Sequence, residues 1–133
     1  MTAYQLSRTG NAPLAFDGEL LAEAGDRQFN GRDQTRWFEL RLYRTTGGNY
    51  VFACAYRTQW QGEANHFHAA QVDPSRIIDA VRGWPWETRV VGFPPAPEYA
   101  ERQEHLLAHL ERMFEQAVTE LMESVDELVE RID

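Results

Sequence analysis

The sequence predicts an α+β domain: an antiparallel sheet of about five strands, arranged as a meander around a central hairpin, followed by one short helix and one long C-terminal helix packed on the sheet. Three observations predict it. The first 72 residues hold segments that alternate between apolar and polar, the period of a half-buried strand. Clusters of Gly, Asn, Pro and Thr separate those segments. From residue 97 onward there is no glycine and no interior proline, and apolar residues recur every three or four positions. The 133 residues are read as one domain: sheet over 1–72, short helix over 73–83, a Pro/Trp connector over 84–96 and an acidic amphipathic helix over 97–132.

Taken in order, residues 2–9 (TAYQLSRT) form a first strand and GNAP a turn. Residues 14–24 form a second strand, with Gly18 marking a bulge. Residues 25–34 (GDRQFNGRDQ) read as a polar loop. The clearest strand is RWFELRLYRT, with Phe38, Leu40 and Leu42 on one face and Trp37, Glu39, Arg41 and Tyr43 on the other. Its partner is YVFACAYRT, joined through TTGGN, where two glycines suit a tight turn. A turn with an odd residue count sets Tyr50, Phe52, Cys54 and Tyr56 beside Phe38, Leu40 and Leu42; an even count sets Val51, Ala53 and Ala55 there instead. The odd register is preferred, since it joins the apolar positions and hides the thiol. HFHAAQV is the fifth strand.

The short helix has Asp73 as its cap, Pro74 in its first turn and Gly83 at its end. The connector is too apolar to be a free linker, and Trp84, Trp86 and Phe93 are its expected anchors. Along the last helix Leu107, Leu110, Phe114, Ala117, Leu121, Val125, Leu128 and Ile132 make one stripe. A helix of ~36 residues spans about 54 Å, more than a sheet of five strands ~4.8 Å apart requires. Either it breaks, with 123–128 (ESVDEL) the expected place, or its outer stripe of Leu121, Val125, Leu128 and Ile132 meets a second molecule.

The net charge is −8, and residues 97–133 carry all of it, with eleven acids against three arginines. All thirteen basic residues are arginine. Residues 26–57 are mildly basic, with six arginines against three acids. No apolar stretch approaches the ~20 residues of a membrane helix, no signal segment is visible, and the single cysteine excludes an internal disulfide. A cytoplasmic protein without a membrane partner is expected.

Three functional readings follow. The first is a non-enzymatic protein-interaction or adaptor module acting through the acidic amphipathic helix, with a protein partner or a second copy of itself at Leu121, Val125, Leu128 and Ile132. The second is single-stranded nucleic-acid binding through Trp37, Arg41, Tyr43 and Arg57, aromatics that stack on bases beside arginines that meet phosphates. The segment FELRLYRTTGGNYVFACAYR resembles, in its strand–glycine turn–strand grammar, a unit of the PUR repeats, which bind single strands. A net charge of −8 opposes that reading. The same residues also fit beneath the long helix, with their arginines paired to its glutamates.

The third reading is a metal-dependent enzyme. His105 and His109 in EHLLAHLE, and His66 and His68 in NHFHAA, have spacings at which imidazoles share zinc or a similar divalent ion, with Glu101 one turn before His105 as a further ligand. Leu106 stands where a zinc protease has its glutamate. Cys54 reads as a buried small hydrophobe, and it would pair with His66 or His68 only if the fourth and fifth strands adjoin. No nucleophile elbow or phosphate-binding loop is present, so an enzyme is not the favoured reading.

Overall fold

A computed structural model describes residues 2–25 and 35–125. Five antiparallel strands, β1 (Thr2–Arg8), β2 (Asn11–Ala24), β3 (Arg36–Thr45), β4 (Tyr50–Thr58) and β5 (His66–Val72), form one sheet in sequence order. A 3-10 turn (Pro74–Arg76) leads into α1 (Ile77–Arg82); further 3-10 turns lie at Trp86–Arg89 and Pro97–Tyr99, and α2 (Ala100–Glu123) follows. This is the expected α+β meander. In the central hairpin Phe38 opposes Tyr56, Leu40 opposes Cys54 and Leu42 opposes Phe52, so the odd-turn register is the one adopted.

β2 is long because it serves two neighbours in succession. Its first part pairs with β1, from Asn11↔Arg8 to Gly18↔Thr2, and its second part with β3, from Gly18↔Thr45 to Ala24↔Leu40. Gly18 itself is not the bulge. It is buried at the crossing of the two partners, where an added Cβ would lie 2.2 Å from the Arg44 carbonyl oxygen. The register shift falls at Leu20/Ala22, with Leu21 as the extra residue. That shift exchanges the faces of β2: Leu20 opposes Tyr43, whereas Ala22 opposes Leu42. The expected turn at GNAP is also tighter than its composition suggests, for only Thr9 and Gly10 turn, and Pro13 lies inside β2 where β1 is its sole neighbour.

The core lies between the Phe38–Leu40–Leu42 face and α2. Leu110, Phe114, Ala117, Val118, Leu121 and Val125 meet β2 and β3, while Ile77 and Val81 cover β4. Trp84 and Trp86 fill the corner around Phe38 and Phe114, with ring centroids 5.2–6.2 Å apart. Each large apolar side chain buried here contributes ~1.5–3 kcal/mol, so this aromatic corner is a main source of stability. The connector is therefore anchored by its tryptophans as expected. Phe93 is not an anchor: it stacks on Tyr99 and stays 36% exposed.

α2 stops within the stretch expected to break. Ser124 follows its last residue, donating its N–H to the Glu120 carbonyl at 3.2 Å and its hydroxyl to the Leu121 carbonyl at 3.0 Å. Leu128 and Ile132 lie outside the described residues. Asp73 makes no side-chain cap; only its carbonyl receives a hydrogen bond, from Arg76 N–H at 2.9 Å. Among the described residues no helix is long and apolar enough to cross a membrane.

The sheet rolls on the side away from α2. Thr9, just past β1, donates its N–H to the Phe67 carbonyl at 2.9 Å, and its Oγ1 accepts from Phe67 N–H at 2.8 Å. The two edge strands thus meet, and the face opposite the core becomes concave.

Candidate functional site

Alternation on β3 and β4 sends Trp37, Glu39, Arg41, Tyr43, Val51, Ala53, Ala55 and Arg57 to the concave face. The four residues singled out for nucleic acid are therefore on one surface, but not as an open platform. Tyr43 is 3% exposed, packed between Tyr4 and Phe16 with centroids at 4.7 and 5.3 Å. Burial raises its phenolic pKa. Trp37 donates its indole N–H to Glu39 Oε2 at 3.1 Å, and Arg57 donates Nε–H to Glu39 Oε1 at 3.2 Å. Arg41 pairs at 3.3 Å with Glu23, its cross-strand neighbour, and Arg44 at 4.0 Å with Glu19, also its cross-strand neighbour. The alternative placement under α2 is also corrected for Trp37, Arg41, Tyr43 and Arg57, which project from the opposite face, so that Arg41 and Arg57 meet glutamates of β2 and β3 rather than of the helix.

Small residues leave space within the roll. Ala53 and Ala55 floor a cleft of about 210 Å³ between β1 and β5, with Phe67 on one side and Glu39, Arg41 and Arg57 at the rim. The Arg57 guanidinium lies over the Phe67 ring, 4.8 Å from its centroid.

The histidines are not brought together. His66 and His68 project from β5 toward the core side, opposite Tyr56 and Cys54, but α2 lies over β2 and β3. His105 and His109 are exposed on α2. Among the described residues no group of three or more His, Cys, Asp or Glu side chains is placed to hold a metal ion, so the proposed zinc site of four histidines does not assemble. β4 and β5 do adjoin, and Cys54 stands directly opposite His68. Burial nevertheless raises the thiol pKa far above its usual value, and no hydrogen bond joins the thiol to an imidazole. His66 and His68 are both held below the usual imidazole range, by partial burial and then by nearby positive charge: Arg89 for His66, Arg8 and Arg89 for His68.

Of the interaction stripe, Leu121 and Val125 are 0% and 3% exposed. They belong to the protein's own core and offer nothing to a second molecule, which corrects the expected contact surface. α2 ends at Glu123, so its helical length is 24 residues rather than ~36. What α2 presents outward is mainly carboxylate: Glu101, Glu104, Glu111, Glu115 and Glu123 are exposed, as is Glu98 just before it, against exposed Arg102 and Arg112. Glu115 pairs with Arg82 at 3.0 Å.

At the N-terminal end of α2 a second feature emerges. Trp60 in the β4–β5 loop is 53% exposed, and Val91 in the connector is 58% exposed. The indole is nonetheless fixed, with its N–H donated to Thr35 Oγ1 at 2.8 Å and the Arg36 guanidinium 5.3 Å from its centroid. Glu63 links this loop to the connector. It accepts from Arg36 Nε–H and Nη2–H, from the Tyr56 hydroxyl at 2.8 Å and from Gly92 N–H at 3.3 Å. Burial alone would raise the Glu63 pKa, but these donors and the Arg36 charge hold it below the usual carboxylate range. Phe93, stacked on Tyr99, follows Gly92 directly. Trp60 thus lies against the Arg36 side of this buried ion pair, while Val91 and Phe93 flank Gly92, whose N–H meets Glu63, and Tyr99 joins through its stack on Phe93.

Sequence reasoning missed this arrangement, since Glu63 and Trp60 sit in QWQGEAN, which reads only as a loop after the central hairpin. Comparison with protein-family models, curated proteins and solved structures finds no match.

Proposed function

We propose that this protein is a non-enzymatic interaction module whose contact surface joins the acidic outer side of α2 to the aromatic end formed by Trp60, Val91, Phe93 and Tyr99. The observation that carries the reading is the exposure of a pinned tryptophan: Trp60 is 53% exposed although its indole is hydrogen-bonded and backed by Arg36. A fixed aromatic side chain loses little freedom on binding, and Trp, Tyr and Arg dominate binding hot spots. Exposed Glu98, Glu101 and Glu104 lie within five positions of Tyr99 in the chain and outnumber exposed Arg102, so a partner with a basic rim around an apolar pocket complements this surface.

The test is affinity capture from the cells that make the protein, followed by binary titration of the captured partner. Trp60→Ala with Phe93→Ala is expected to weaken binding at least about a hundredfold, the scale of hot-spot residues. Glu98, Glu101 and Glu104 replaced by Gln should slow association and flatten its salt dependence. Unchanged affinity in the aromatic variant would overturn the proposal.

A further inference from the structure

The cleft on the concave face supports an inference separate from that surface. Three features combine there. The floor is apolar and short, because Ala53 and Ala55 occupy β4 where Val51 continues the same face. The wall is aromatic, through Phe67. The rim is cationic in an oriented way: Arg57 is held at Nε by Glu39 and lies over Phe67, and no described residue accepts from its terminal nitrogens. Glu39 does not place an unmatched negative charge in the cleft, since Trp37 and Arg57 engage one oxygen each. Arg41, the second guanidinium at the rim, is tied through Nε to Glu23, an exposed and weakly held partner. A guanidinium anchored by Nε with its terminal nitrogens unspent is a fork for a carboxylate. At about 210 Å³ the cleft is smaller than the ~300–1,000 Å³ of sites for drug-sized ligands.

We infer that this cleft binds a small organic carboxylate with a compact apolar body, the carboxylate on Arg57 and Arg41 and the body over Ala53 and Ala55 against Phe67. The probe is sodium benzoate, titrated calorimetrically into the full chain, with benzamide and inorganic phosphate as comparators. Benzoate should saturate at one per chain. Benzamide, which has the shape without the charge, and phosphate, which has the charge without the apolar body, should each bind at least about tenfold more weakly. Arg57→Gln should lose benzoate by a similar factor, and Ala53→Leu should abolish it by filling the floor. As a check that does not depend on the variants' folding, amide shifts of the unmodified protein should move at Ala53, Ala55 and Phe67 on benzoate addition. Absence of saturation, benzamide or phosphate binding as well as benzoate, unchanged affinity in Arg57→Gln, or shifts confined to other residues would each overturn the assignment.

Discussion

The Tyr56 hydroxyl donates to Glu63 Oε1 at 2.8 Å, and through that bond a core side chain of β4 reaches a loop carboxylate already gripped by Arg36. Tyr56 is 0% exposed and the Glu63 side chain 3%, so the bond fixes the β4–β5 loop to the core. Removing a buried carboxylate strands its donors. Glu63→Ala is expected to cost about 3–5 kcal/mol, and Tyr56→Phe, which removes one charge-assisted bond, about 1.5–3 kcal/mol, as read from urea unfolding with an unchanged slope.

Glu63 also contributes to acid sensitivity. Its pKa in the folded protein lies below the unfolded value of 4.5, so its contribution is fully present above pH 4.5 and is lost as pH falls through the folded value. The unmodified protein should therefore lose stability on acidification below pH 4.5 more steeply than Glu63→Gln, which has no proton to take up there. Parallel curves for the two proteins would show that the carboxylate is not stabilised as described.

A milder effect begins nearer neutrality. Among the described residues the buried His66 Nδ1 has no hydrogen-bond partner, and the folded imidazole titrates below its unfolded value of 6.5. The unfolded chain thus binds the proton first, and stability falls as pH drops below 6.5 until the folded value is passed. His66→Gln should flatten the stability profile as pH falls below 6.5; a slope unchanged by that substitution would count against it.

Gly18 and Gly10 separate two reasons for glycine. Gly18→Ala sets a Cβ 2.2 Å from the Arg44 carbonyl oxygen, so backbone must move, at an expected cost of about 3 kcal/mol or more. Gly10→Ala meets nothing within 4 Å, and its φ of +79° alone should cost about 1–2 kcal/mol. Thermal unfolding of the two variants ranks them directly.

The α2 stripe makes a contrary prediction to the one its length invites. Leu121→Ala should destabilise the protein by about 2–5 kcal/mol as a core truncation and leave its sedimentation mass unchanged. A change of mass without loss of stability would restore the stripe as an interface.

Alternation and turn residues made the five strands legible, and the Tyr50–Cys54–Tyr56 face followed from matching apolar rows across the hairpin. Helix length misled because an apolar stripe looks the same whether it covers the chain's own sheet or another chain. Leu121 and Val125 were unreadable in that respect. The roll of the sheet was hidden for a different reason: it depends on Thr9 reaching Phe67, a contact between residues far apart in sequence with no compositional mark. That contact, together with Ala53 and Ala55, turns the supposed nucleic-acid platform into a cleft.

The Trp60 end is proposed to engage a protein. Its most direct test is the affinity of the captured partner for the unmodified chain against the Trp60→Ala, Phe93→Ala variant, with single-stranded DNA titrated in parallel at low salt. The expected result is a loss of about a hundredfold or more for the variant, with its fold intact, and no saturable DNA binding. Equal affinity for the two proteins, or saturable DNA binding removed by Arg57→Gln, would contradict it.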